Sequence, residues 1–174
     1  MKFEIPKSIE ILERTPFVLE TMLSGLSEEW VMNNEGPDTW SPYDVIGHLI
    51  HGERTDWLVR MEVILSCLQD KRFAPYDRFA QFIESKGKTL EQLLMEFKDC
   101  RLRNLQILKD KNLNEVDLDK TGIHPRFGSV TLRQLFSTWV THDMTHIAQI
   151  VRVMAKQYKI EVGPWVEYVG VLNR

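Results

Sequence analysis

Apolar residues recur at helical spacing in four long stretches of this chain, separated by polar segments rich in Asn, Asp, Gly and Pro. Residues 5–14 read as a short helical lead-in. Thr15-Pro16 then reads as an N-cap with proline in the first turn, followed by Phe17, Leu19, Met22, Leu23 and Leu26 at helical spacing. This first helix is expected to fade near Asn33-Asn34-Glu35-Gly36-Pro37. The second starts sharply, because Ser41-Pro42-Tyr43-Asp44 supplies a capping hydroxyl, a first-turn proline and an acid at the third position. Its stripe of Ile46, Leu49, Ile50, Trp57, Met61, Ile64 and Leu68 predicts a run to Leu68. Residues 69–88, with Pro75 and Gly87, form the longest connection, and a short helical piece is expected around Phe79–Ile83. Thr89-Leu90-Glu91-Gln92 is a second capping box, opening a third helix to Lys109. Residues 110–129 read as loop. The last long helix spans 130–158, opening with Thr131-Leu132-Arg133-Gln134, and Gly163-Pro164-Trp165 lies in the tail. Nothing reads as strand, and there is no repeat or second domain. The expectation is an all-α single domain over residues 1–174, a four-helix bundle whose long connections leave room for crossovers.

A chain of 174 residues can bury a real core. Its net charge of −3, with no Lys/Arg stripe, argues against a nucleic-acid partner. No apolar run approaches the roughly 20 residues of a membrane span, and the N-terminus lacks a signal-peptide core, so a cytoplasmic setting is expected. Cys67 and Cys100 fall in helical patterns and are read as buried thiols, not as a disulfide; there is no CxxC.

The candidate chemistry sits in Thr141-His142-Asp143-Met144-Thr145-His146. His142 and His146 are one helical turn apart, with Cβ atoms roughly 6 Å apart, so both imidazoles can meet one ion. On a helical wheel they share the stripe of Leu132, Leu135, Phe136, Trp139, Ile150, Val153 and Met154, as does Asp143. Polar groups on a core stripe need partners, and a divalent metal would satisfy both histidines at once. Hydrogen bonds to neighbouring helices are the plainer alternative. A third ligand would come from elsewhere, and His48 and His51 on the second helix both offer one. The wheel puts His48 almost opposite the apolar stripe, which would leave it on the surface, and His51 about 40° less far off. Asp143 and Gln149 are candidates to orient a ligand histidine or to meet a substrate, and His124 in the loop is a further candidate to approach the site.

Several of these stretches resemble one family. Trp40-Ser41-Pro42-Tyr43-Asp44-Val45-Ile46-Gly47-His48-Leu49, the run from Leu132 to Ile150, His124-Pro125 through Gly128, and Gly163-Pro164-Trp165-Val166-Glu167-Tyr168 are similar in order and spacing to the DinB/YfiT-like superfamily. The resemblance implies a four-helix bundle holding a divalent metal, Zn or Ni, on three histidines. Carried onto this chain these are His48, His142 and His146, which selects His48 over His51. Three neutral imidazoles leave coordination positions open, as in a catalytic site. Thiol-dependent S-transferases and a thiol-dependent isomerase in that superfamily imply a low-molecular-weight thiol co-substrate, bacillithiol-like, acting on small-molecule electrophiles. A metal-dependent hydrolase and a non-enzymatic, stress-inducible metal-binding protein are the alternatives. A homodimer is a further implication of the resemblance.

Overall fold

The computed structural model describes residues 1–173. Eight helices and one hairpin follow in order: α1 (Ile5–Leu23), α2 (Glu28–Met32), α3 (Pro42–Thr55), α4 (Trp57–Leu65), α5 (Ala80–Glu84), α6 (Leu90–Asp110), α7 (Glu115–Leu118), β1 (Thr121–His124), β2 (Gly128–Thr131) and α8 (Leu132–Gln157), before two short 3₁₀ turns at Gly163–Tyr168 and Gly170–Asn173. The four-helix bundle is built from α1, α3 with its continuation α4, α6 and α8. α1 packs on α6 and α8, and α3 packs on the same two helices. The first and second long helices therefore face each other across the bundle, and the long connections make the crossovers.

Several expectations shift: the first helix ends at Leu23, with α2 separate from it, and α7 forms in a stretch read as loop. Pro16 does not open a helix; it lies inside α1, which is continuous from Ile5. A proline there removes the hydrogen bond to the carbonyl four residues back. That carbonyl, Leu12 O, instead accepts from Arg101 Nη1 at 2.9 Å. The second helix breaks at Asp56, whose backbone (φ −112°, ψ −78°) leaves the helical path and separates α3 from α4. The region expected to hold no strand contains an antiparallel hairpin, with Thr121 opposite Thr131 and His124 opposite Gly128. Gly128 (φ +71°) takes the left-handed position after the three-residue loop. Ile123 also exchanges backbone bonds with the long connection, to Lys71 O and from Phe73 N. Gly122 permits this docking, since a Cβ there would meet the Phe73 ring at 2.4 Å.

The core has two apolar clusters. One gathers Leu12, Trp57, Met61, Ile64, Leu105, Leu108, Phe136 and Trp139. The other gathers Leu19, Leu23, Ile46, Leu49, Leu93, Phe97 and Ile150. On α6, Arg101 stands one turn from Phe97 and one from Leu105, between the clusters, and is fully buried. It donates to Glu53 Oε1 from Nε (3.0 Å) and Nη2 (2.8 Å), and to both oxygens of Asp143. Trp139 Nε1 and Asn104 Nδ2 also donate to Glu53. A buried ion layer thus ties α3, α6 and α8 together. Both cysteines are free, but Cys67 lies just beyond α4 and is exposed, and Cys100 is half-buried, so neither is the buried thiol expected. Among the described residues, no helix is long and apolar enough to cross a membrane.

Candidate metal centre

His48 is set by a helix start that leaves little freedom. Ser41 Oγ accepts from Asp44 N at 3.2 Å, and Asp44 Oδ2 accepts from Ser41 N at 2.9 Å. This reciprocal cap fixes the register of α3, and His48 follows one turn after Asp44. The wheel expectation of a surface residue is corrected here: His48 is 7% exposed. α3 is enclosed by α2, α5, α6 and α8, so nearly every face of it is buried and its apolar stripe does not define an inside. Gly47 lets α5 approach, because a Cβ would stand 2.4 Å from Ser85 Oγ.

His142 and His146 project from consecutive turns of α8 toward the same point. His142 Nε2 lies 3.1 Å from His48 Nε2 and 3.1 Å from His146 Nε2, and His48, His142 and His146 form one cluster of ligand atoms. The outer nitrogens of two of them are held. His146 Nδ1 meets Gln149 Oε1 at 2.8 Å, and His48 Nδ1 meets the Tyr76 hydroxyl at 3.2 Å. An amide oxygen only accepts, so His146 carries its proton on Nδ1 and turns a lone pair inward. His142 Nδ1 is buried without a partner, and the Trp57 ring stands edge-on 5.1 Å away.

Burial drives all three imidazoles toward the neutral form. His48 is pushed down to about 3 by burial, then by the positive fields of His146, His51 and Arg78. His142 is pushed down to about 2 by burial, then by His146, His48 and Arg101. Burial also lowers His146, opposed by the Gln149 hydrogen bond and by Asp143. Neutral imidazole is the metal-binding form. His142 Nε2 has one proton or one lone pair, so it cannot bond well to both neighbours at 3.1 Å. A cation satisfies all three nitrogens together. With Zn–N bonds of about 2.0–2.1 Å and tetrahedral angles, ligand nitrogens stand about 3.3 Å apart, close to the spacing found. The donor set fits a divalent ion.

The triad opens on a cavity of about 610 Å³ lined by Trp40, Trp57, Asp56, Arg60, Tyr76, Arg78, His124, Gln149, Glu35 and Arg152 among others. The Trp40 ring stacks on His146 (6.3 Å, 16°) and leans on His48 (4.8 Å). Arg152 and Lys156 hold Glu35, keeping its carboxyl down at about 2. Asp56 Oδ1 lies 2.7 Å from Arg60 Nε but off the N–H direction, an ion pair without an aligned hydrogen bond; burial raises its pKa against that pull.

The other expected residues divide. Gln149 touches His146, as above. His124 ends β1 and lines the cavity, its Nδ1 accepting from the backbone of Arg126 and Phe127. Asp143 makes no hydrogen bond to the triad: in place of orienting a histidine, its carboxylate is held by Arg101. Trp139 also lies outside the cavity, buried and stacked on Trp57 at 5.8 Å. His51 is buried, bonded to Glu84 at 3.1 Å, and is not in the cluster. Tyr76 and Arg78 lie in the long connection and were not found from sequence, because no periodicity marks a loop side chain that folds back over a site.

Fold and site together define a class: a helical bundle that brings three histidines from two helices to one open point. The chain belongs to the DinB superfamily, whose family model matches residues 11–150. Among solved structures it is similar to YfiT from Bacillus subtilis, described as a probable metal-dependent hydrolase with an unusual four-helix bundle topology. The two are 19% identical, with a TM-score of 0.74 over 88% of this chain and 87% of that one. No curated protein matches the chain.

Proposed function

We propose that the chain is a metal-dependent enzyme that activates a low-molecular-weight thiol for attack on a small electrophile. The observation that carries this reading is the convergence of three neutral imidazoles at 3.1 Å contacts beside a cavity large enough for two small reactants. His48, His142 and His146 would hold the ion, Zn or Ni, both of which suit imidazole. When bound, such an ion supplies a positive charge that lowers a thiol pKa from its free value of about 8.5. Tyr76 and Gln149 fix two of the rings, so the imidazoles need not reorganise. Trp40 and Trp57 give the cavity apolar walls that limit water around a developing thiolate. A cytoplasmic setting, where small thiols stay reduced, and a homodimer belong to the same proposal.

The second reading is a metal-dependent hydrolase, and two observations favour it: the likeness to a structure described in those words, and Asp56, a buried carboxylate in the cavity wall able to take a proton from water. The test begins with elemental analysis of untagged protein. Near one equivalent of Zn or Ni is expected in wild type and His51→Ala, with loss in His48→Ala and His142→Ala. The loaded protein is then given a monobromobimane-type electrophile with and without bacillithiol, mycothiol or glutathione. A thiol adduct formed faster than in buffer supports transfer; consumption of an ester without thiol supports hydrolysis. A wild type that takes up neither metal overturns both, and leaves a non-enzymatic, stress-linked role.

A further inference from the structure

The cavity wall carries three guanidinium groups, and their engagement differs. Arg152 is held by Glu35 through two bonds of 2.8 and 2.6 Å. Arg60 is paired with Asp56 and lies over the Phe73 ring. Arg78 is exposed, and among the described residues no carboxylate lies within ion-pair distance of it, although Asp77 precedes it: Asp77 Oδ1 accepts from Phe79 N at 2.9 Å. Its guanidinium is seated on two aromatic rings, 5.9 Å from Trp40 and 5.6 Å from Phe79. Trp40 is also the ring that leans on His48, so one indole separates Arg78 from the triad. Phe82 packs edge-on against Trp40 and stacks with Phe79.

A guanidinium held over aromatic rings by cation–π attraction keeps N–H donors available, a fork that matches a carboxylate. The two ring contacts also restrict the side chain, so less freedom is lost when a ligand binds. The other carboxylate-binding groups of the cavity are already taken. We propose that Arg78, on its Trp40–Phe79 seat, is a carboxylate-binding subsite that anchors one of the two reactants with its reacting end toward the triad. The naming of reactants rests on the thiol-transfer reading; the subsite itself does not. The flanking Trp40, Phe79 and Phe82 rings suit a carboxylate carried on an apolar or aromatic body.

The experiment uses calorimetric titration of metal-loaded and metal-free protein with two matched pairs. The thiol pair is 3-mercaptopropionate and 2-mercaptoethanol; the non-thiol pair is 3-phenylpropionate and 3-phenylpropanamide. Wild type is expected to prefer the carboxylate by roughly tenfold in at least one pair, the scale of one charge-assisted contact. Arg78→Gln should reduce that preference below about twofold and leave the affinity of the neutral member unchanged, with Arg78→Lys between them. A preference confined to the thiol pair places the carboxylate on the thiol, and one confined to the other pair places it on the electrophile. Absence of preference in both pairs, or a preference that survives in Arg78→Gln, overturns the subsite. Binding of the non-thiol pair requires no metal, so failure of the thiol reading and failure of this one register separately.

Discussion

Tyr76 and Gln149 each hold the outer nitrogen of one histidine; both fix a ring, and the Gln149 oxygen also turns the His146 Nε2 lone pair inward. Losing such a partner typically costs 10–100-fold in metal affinity. Tyr76→Phe is therefore expected to weaken Zn²⁺ binding by about tenfold, measured by competition with a chromophoric chelator, while His51→Ala leaves it unchanged. The depressed histidines also set a pH dependence for the metal-free protein. His48 and His142 titrate at about 3 and about 2 in the fold, against 6.5 in the unfolded chain. Below pH 6.5 the unfolded state binds protons that the fold refuses, so the stability of the neutral rings is complete above that value and is lost as pH falls through about 3 toward about 2. The urea midpoint of metal-free wild type should fall more steeply between pH 7 and pH 4.5 than that of His48→Gln/His142→Gln. Equal slopes would show that the rings are not held neutral. The pair on α8 was legible from its four-residue spacing alone. His48 was legible only through the family pattern, because a helical wheel assumes one wet face and α3 has almost none.

Among the elements, the long helices with reciprocal caps were readable from sequence: Ser41/Asp44, Thr89/Gln92 and Thr131/Gln134 begin three of them as expected. α7 has the same kind of cap in Asn114/Asp117, but a single turn is too short to show a period and it was read as loop. Other misses were decided by distant partners. Pro16 is tolerated inside α1 because Arg101 arrives from α6, and nothing near residue 16 announces it. The hairpin escaped because its turn residues, His124-Pro125 and Gly128-Ser129, read as plain loop, and each strand is only four residues long. Its docking depends on Gly122 lying flat against Phe73 and Ile64. Gly122→Ala should push a methyl into a rigid ring and destabilise the protein by about 1–3 kcal/mol, read as a lowered thermal midpoint. A companion Phe73→Leu substitution should recover part of that loss if the clash is the cause.

At the scale of the molecule, the Glu53–Arg101–Asp143 layer joins the two helices that bear the histidines. A buried ion pair is a weak stabiliser against an apolar replacement, yet removing one member strands the others without a countercharge. Arg101→Met is expected to cost about 3–5 kcal/mol, by chemical denaturation. The triple variant Glu53→Leu/Arg101→Met/Asp143→Leu should recover most of it. A triple variant as unstable as the single one would mean that the layer contributes stability in its own right. The same arginine has a bearing on the order of assembly. With the rung from residue 16 to Leu12 missing, the first helix has a weak point near its middle. In the folded chain the carbonyl left over there is satisfied by a side chain 89 positions later. This weak point makes α1 dependent on α6, and pulse-labelled hydrogen exchange during refolding should find amides of residues 5–23 protected after those of residues 90–110.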